Sequence, residues 1–206
     1  MRGVRWVFLD IGSTLVDESA AVRRRAERTV AGTEVSVEDF CRRMTEICRQ
    51  DPGGYRLAAA EFGLEPVPWD SADERVYPDA ADCLRRLRER YRICVIANQA
   101  PGAAERLKRM GLLPYIDLVA ASAEEGTAKP DPRLFEIALE RAGCAPHEAV
   151  MVGDRIDNDV RPARALGMGT VWLRQGLGGL YEPKAEADQP DRTVASLSEL
   201  ADLLKE

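Results

Sequence analysis

The chain has 206 residues, 45% hydrophobic and 31% charged, with 35 acidic against 29 basic side chains and a formal charge of −6. This length suits one sizeable domain with a small insertion, and the composition is that of a soluble globular protein. A net negative charge speaks against wholesale nucleic-acid binding, and no run approaches the ~20 apolar residues of a membrane span.

The first apolar run, residues 4–9 (VRWVFL), predicts a buried strand ending at Asp10. It is too short for the core of a signal peptide, and an acid follows at once. Residues 18–74 read as helical, with segments near 19–31, 36–50 and 54–63. Ser36 and Asp39 resemble a capping box opening the second segment, with Asp in place of the usual Glu or Gln. The stretch VRRRAER in the first segment is either a local basic exception or the solvated face of a helix; Arg23, Arg24 and Arg28 are candidates to read a second anion on a substrate. Pro66, Pro68 and Asp70 mark a return linker.

A helix follows in PDAADCLRRLRERY, with Pro78 near its start. Strands are expected at 92–97 (RICVIA), 117–121 (DLVAA), 148–152 (EAVMV) and 169–173 (GTVWL). Helical patterns at 101–110, 131–143 and 158–166 separate them, and a last one covers 196–205. Such alternation implies right-handed crossovers, hence an α/β fold: a Rossmann-like parallel sheet covered by helices on both faces. Three consecutive helices without a strand read as a small helical cap, residues 18–74, inserted into a core made of 1–17 and 75–206. The ligand crevice of such a sheet lies beyond the carboxyl ends of its strands. The residues to read are therefore Asp10, Asn98, the loop before Lys129, and Asp154.

In MVGDRIDNDV, a strand ends in a glycine that allows a tight turn and releases Asp154, Asp157 and Asp159 within six residues. Clustered carboxylates repel one another unless a cation sits among them, and hard oxygen ligands suit Mg²⁺; an acidic helix N-terminus is the other reading. Lys129 stands before a proline and an amphipathic helix, either neutralising a developing anion or solvated at the surface. Asp10, Lys129 and GDRIDND, in that order at strand ends, are more specific together than any one piece.

This combination resembles the haloacid dehalogenase superfamily over almost the whole chain. FLDIGSTLVDE matches that family's first motif, VIANQ occupies the place of the second, AKPDPRLFEIAL matches the lysine motif and VGDRIDNDV the acidic motif. The resemblance implies a Mg²⁺-dependent phosphatase acting on a small phosphorylated metabolite. Asp10 is then the nucleophile that becomes an aspartyl-phosphate, and Asp10, Asp154 and the backbone carbonyl of Gly12 hold the metal. Lys129 binds Asp10 and the phosphate, Asn98 contributes to substrate binding, and Asp159 orients the metal's water or Lys129.

Two positions depart from the family pattern. Gly12 replaces the acid that serves the leaving group and the water, and Ala97 replaces a phosphate-binding hydroxyl. A slow enzyme is expected for poor leaving groups, because general acid–base help is worth ~10²–10⁴-fold. Gly12→Asp together with Ala97→Ser is expected to speed ester hydrolysis, most for alkyl phosphates. Asp17 and Glu18 either compensate for the missing acid through water or lead into the cap as solvated residues, and the second is the expectation. The alternative function is a phospholigand- or protein-binding module on a degenerate site. A dehalogenase would leave the acids around Asp154 without a purpose, and a phosphonate hydrolase needs a cap lysine, which 18–74 lacks.

The remaining features read as structural. Cys41, Cys48, Cys83, Cys94 and Cys144 form no CxxC and read as reduced thiols, hence a cytoplasmic protein. His147 is expected in an exposed loop, and Trp6 and Trp172 in the core; Trp69 either lines the cap hinge or packs in the linker, and packing is the expectation. QGLGGLYEP reads as a flexible loop. Oligomeric state leaves no signature in the sequence.

Overall fold

Strands whose side chains are buried on both faces build the centre of the molecule, which the computed structural model describes over residues 3–205. Strand β1 (Trp6–Leu9) leads through the two-residue β2 (Val16–Asp17) to helices α1 (Ser19–Val30), α2 (Val37–Cys48) and α3 (Gly54–Glu61), and then to β3 (Arg75–Val76). Next come α4 (Ala80–Leu87), β4 (Arg92–Ala97), α5 (Ala103–Arg109), β5 (Leu118–Ala121), α6 (Ser122–Glu125), α7 (Pro132–Ala142) and β6 (Ala149–Gly153). The remaining elements are a π-helical turn over Ile156–Val160, α8 (Arg161–Ala165), β7 (Gly169–Leu173), β8 (Arg192–Val194) and α9 (Leu197–Leu203).

Six strands form a parallel sheet in the order β5-β4-β1-β6-β7-β8. Val7, Leu9, Val95, Val150 and Val152 face one side, under Leu84, Leu107 and Leu200 from α4, α5 and α9. Phe8, Cys94, Ile96 and Met151 face the other, under Leu134, Phe135 and Ala163 from α7 and α8. This is the expected α/β sheet covered on both faces, with β8 as an additional strand too short to show a period of two. Truncating a fully buried Phe8 or Phe135 to Ala would cost about 3–5 kcal/mol. The packing therefore holds the strand ends firmly in place.

Strand order reverses at β1: the chain goes to β4 and β5 on one side and to β6, β7 and β8 on the other. A crevice forms at such a point, beyond the carboxyl ends of β1, β4 and β6. Helices α1–α3 pack around a separate apolar cluster that includes Phe40, Met44, Ile47, Ala58 and Ala59, against which Leu177 and Leu180 of the loop after β7 also rest. Where the chain leaves for these helices and returns, β2 and β3 pair antiparallel, Val16 opposite Val76 and Asp17 opposite Arg75.

The Ser36 hydroxyl accepts the Asp39 N–H at 3.0 Å, as a helix N-cap does. The Asp39 carboxylate meets the Ser36 hydroxyl at 2.7 Å rather than its N–H, so half of a capping box is present. Among the described residues, no helix is long and apolar enough to cross a membrane. The five cysteines are free thiols.

Candidate active site

Four charged side chains converge beyond the strand ends. Asp10 follows β1, Asp154 follows β6, Asp159 lies on the π-helical turn, and Lys129 lies in the loop between α6 and α7. The Lys129 Nζ donates to Asp10 Oδ1 at 2.7 Å and to Asp159 Oδ1 at 2.6 Å, and only 2% of its side chain is exposed. Burial alone would lower the Lys129 pKa, but the charges of Asp10 and Asp159 outweigh it and hold the ammonium protonated. Burial, then the Asp159 and Asp10 charges, push the Asp154 carboxyl well above the usual range. Burial also raises Asp159, with Lys129 opposing it.

The π-helical turn aims Asp159. Its N–H donates to the Arg155 carbonyl at 2.8 Å, while its Oδ2 accepts the Arg155 N–H at 3.0 Å. Such turns are frequent at functional sites. A Cβ on Gly153 would collide with the Asp159 side chain, and Gly153 does not have a left-handed φ. The glycine expected to allow a tight turn is thus needed to make room for a carboxylate. Asp157, from the same acidic run, does not join the cluster: Arg155 holds it bidentately, at 3.0 and 2.5 Å.

Asn98 acts on the lysine loop. Its Nδ2 donates to the Lys129 carbonyl and its Oδ1 accepts the Lys129 N–H, both at 2.8 Å. The carboxamide expected at the substrate is engaged with backbone instead, and its geometry is that of a group holding Lys129. Ala97 is wholly buried at the end of β4 and supplies no polar side chain. The glycine-rich loop after β7 abuts the site, since a Cβ on Gly178 would overlap the Asp154 carboxylate. Close contacts explain its glycines better than flexibility does, since a Cβ on Gly176 would overlap Ser13 and one on Gly179 the Arg174 backbone.

Asp10, Asp154 and Asp159 each bring a carboxylate oxygen within 4.8 Å of the others. One ammonium faces three carboxylates, and it reaches Asp10 and Asp159 but not Asp154. Uncompensated negative charge in a buried site is costly. Either protons or a cation must balance it, and an all-oxygen donor set fits a small divalent cation.

Above these groups lies a cavity of about 430 Å³, lined by Ser13, Glu18, Arg25, Tyr55, Trp69, Asp154 and Arg155 among others. The Arg25 guanidinium lies 3.6 Å from the centre of the Tyr55 ring, and its Nε donates to the Val67 carbonyl at 2.9 Å. The arginines singled out from VRRRAER point elsewhere: Arg23 pairs with Glu27 and Glu38, Arg24 with Asp73, and Arg28 with Asp70, all on the exposed face. Helical spacing could have found Arg25, which lies four residues from the buried Ala21 and Thr29. Trp69 is 39% exposed and donates to Glu74 at 2.9 Å, so it borders the cavity rather than packing in the linker. Trp6 and Trp172 are core residues, and His147 is exposed.

Glu18 also departs from expectation. Residues 11–16 curl so that the Leu15 and Val16 N–H groups both donate to the Ile11 carbonyl, at 2.9 and 3.0 Å. The curl carries the Glu18 side chain back over Gly12, where its Oε2 accepts the Ser13 hydroxyl at 3.0 Å. Ser13 has φ 51°, a left-handed backbone uncommon outside glycine. Burial pushes the Glu18 carboxyl up to about 7. Asp17, by contrast, accepts the Ser19 N–H at 2.8 Å at the start of α1.

Residues 4–167 match the family model of the haloacid dehalogenase-like hydrolases. The chain is 32% identical to a glyceraldehyde 3-phosphate phosphatase of Methanopyrus kandleri, over 98% of either chain. Among solved structures it resembles a HAD phosphatase from Thermococcus onnurineus, with TM-score 0.66, 26% identity and 98% of each chain covered. It also resembles a dehalogenase, with TM-score 0.72, 27% identity and coverage of 100% of this chain and 99% of that one.

Proposed function

Because the chain belongs to the haloacid dehalogenase-like hydrolases, we propose that it is a Mg²⁺-dependent phosphatase of small phosphorylated metabolites and that Asp10 is its nucleophile. One observation carries this reading: Lys129 is locked between Asp10 and Asp159, beside a buried Asp154 that no ammonium reaches. With Oδ1 held by Lys129, the other carboxylate oxygen of Asp10 is left to attack phosphorus. An aspartyl-phosphate forms on Asp10, and water then cleaves it.

Asp10, Asp154 and the Gly12 carbonyl would hold Mg²⁺; when bound, the ion supplies positive charge between an anionic nucleophile and an anionic phosphate. Lys129 adds charge at the phosphate from a fixed position. Asp159 keeps that lysine protonated and oriented, and Asn98 anchors its backbone. In this reading residues 18–74 are a cap over a core of 1–17 and 75–206, and the cavity between Asp154 and Tyr55 receives the rest of a small substrate. The free cysteines support a cytoplasmic location.

The glyceraldehyde 3-phosphate phosphatase relative supports phosphate monoesters as substrates. The dehalogenase likeness in fold points to carbon–halogen cleavage, also by an aspartate, but the buried Asp154 carboxyl, which no ammonium reaches, favours chemistry that uses a cation. The test is phosphate release from a panel of small phosphate esters with and without Mg²⁺, alongside halide release from 2-haloacids. Phosphate release that requires Mg²⁺ is the expected result. Halide release without metal, or ligand binding with no turnover, would overturn it.

A further inference from the structure

We propose that Glu18 is the proton-transferring carboxyl of this site and that it stands where residue 12 has no side chain; the proposal rests on the phosphatase reading above. An ideal Cβ built on Gly12 would lie 2.5 Å from Glu18 Oε1, 2.9 Å from its Cδ and 3.0 Å from its Oε2. The Oε1 distance is close to the separation between an aspartate's Cβ and its own carboxylate oxygens. The absent side chain has left no gap: a carboxylate from six positions further along the chain fills it. Any side chain at position 12 would have to displace Glu18.

The other carboxyls around the crevice are committed. Lys129 holds Asp10 and Asp159, Arg155 holds Asp157, and Arg106 with Trp69 holds Glu74. Asp154 stands with the cation ligands. Among the described residues Glu18 forms no ion pair; only the Ser13 hydroxyl fixes it, at Oε2, which leaves Oε1 over Gly12. Glu18, Ser13 and Asp154 line the same cavity. A carboxyl without a cationic partner, held beside the nucleophile's loop and open to the substrate space, is the one group placed to give and take a proton there.

In the first step Asp10 bonds to phosphorus and the bond from phosphorus to the leaving oxygen breaks. The electron pair stays on that oxygen, which takes the proton of the Glu18 carboxyl and departs as an alcohol. In the second step a water oxygen bonds to phosphorus while the Glu18 carboxylate takes one of its protons. The bond from phosphorus to Asp10 breaks, which restores the Asp10 carboxylate and the protonated Glu18 and frees phosphate. Alkyl esters need the first proton most, whereas a nitrophenolate leaves without it.

The test compares the full-length parent with Glu18→Gln and with the double variant Gly12→Asp, Glu18→Ala, on an alkyl phosphate and on 4-nitrophenyl phosphate in Mg²⁺. In Glu18→Gln, kcat/KM for the alkyl ester should fall about 10²–10⁴-fold, the usual worth of a general acid. For the aryl ester it should fall less than about tenfold, because that leaving group needs no acid. The second step still lacks its base, so the aryl ester should give a burst of nitrophenolate equal to the enzyme, then slow turnover. The double variant should recover most of the alkyl rate, and Gly12→Asp alone should not exceed the parent. Equal losses on both esters without a burst would make Glu18 merely structural, and no loss on either would remove it from the reaction. A parent that releases phosphate from neither ester would instead defeat the phosphatase reading itself.

Discussion

At the strand ends Asp10, Lys129 and Asp159 are locked to one another beside the unpaired Asp154, whereas along α1 most charges face water and few reach the crevice. Asp10, Lys129 and Asp159 form one buried chain of hydrogen bonds of 2.6–2.7 Å. On α1, Arg23, Arg24 and Arg28 make exposed ion pairs, and Arg25 alone of these arginines turns inward to Tyr55. The difference follows from how each element aims its side chains. A buried parallel strand delivers the residue after it to one edge of the sheet. A helix distributes neighbours around its circumference, so a step of one residue moves a side chain by about a quarter turn.

The largest test of this contrast lies in the floor of the site. Asp10→Asn removes the nucleophile and keeps the shape, so phosphate release should fall on the order of 10⁴-fold or more, as for other nucleophile losses. Thermal melts should show an intact fold; turnover within a few-fold of the parent would mean that Asp10 does not attack. Lys129→Ala comes next, because it leaves Asp10 and Asp159 buried without their shared partner. Breaking a buried pair in this way costs about 3–5 kcal/mol, which urea unfolding would measure. Lys129→Arg should lose less stability but should not regain full activity, since a planar guanidinium does not fit a site built for an ammonium.

Asp154→Asn should weaken Mg²⁺ binding by calorimetry at least 10-fold, roughly the low end of what is lost when even an outer partner of a metal ligand is removed. Asp157→Asn, already taken up by Arg155, should leave the affinity nearly unchanged. The smallest effect belongs to the helix. Arg25→Ala should raise KM several-fold with little change in kcat, because Arg25 lines the cavity away from Asp10. Arg24→Ala should change neither, since an exposed ion pair is worth only about 0–1 kcal/mol. Equal effects of the two would erase the distinction between the inward and outward faces of α1.

The same contrast explains what could be read from the sequence. Strands β4 and β7 fall where their apolar runs do, and Asp10, Asp154, Asp159 and Lys129 meet because a parallel sheet gathers strand ends. The short pairing of β2 with β3 has no pattern long enough to see, and β8 has only three residues. Asn98 reads as a polar group at a strand end, but which partner takes its carboxamide depends on a loop 31 residues away in sequence. Glu18 reads as solvated because it opens a helix. Only the curl at residues 11–16 turns it inward, and the left-handed Ser13 within that curl carries no strong sequence mark. Gly12 looks like a loss when taken alone and becomes intelligible once Glu18 is seen over it.

The most direct measurement of the central claim is rapid acid quench during turnover of a phosphate ester in Mg²⁺, followed by mass mapping of the enzyme. The expected result is a transient phosphoryl adduct on the peptide that contains Asp10, absent without Mg²⁺ and absent from Asp10→Asn. An adduct on another residue, or undiminished phosphate release by Asp10→Asn with no adduct at all, would contradict it.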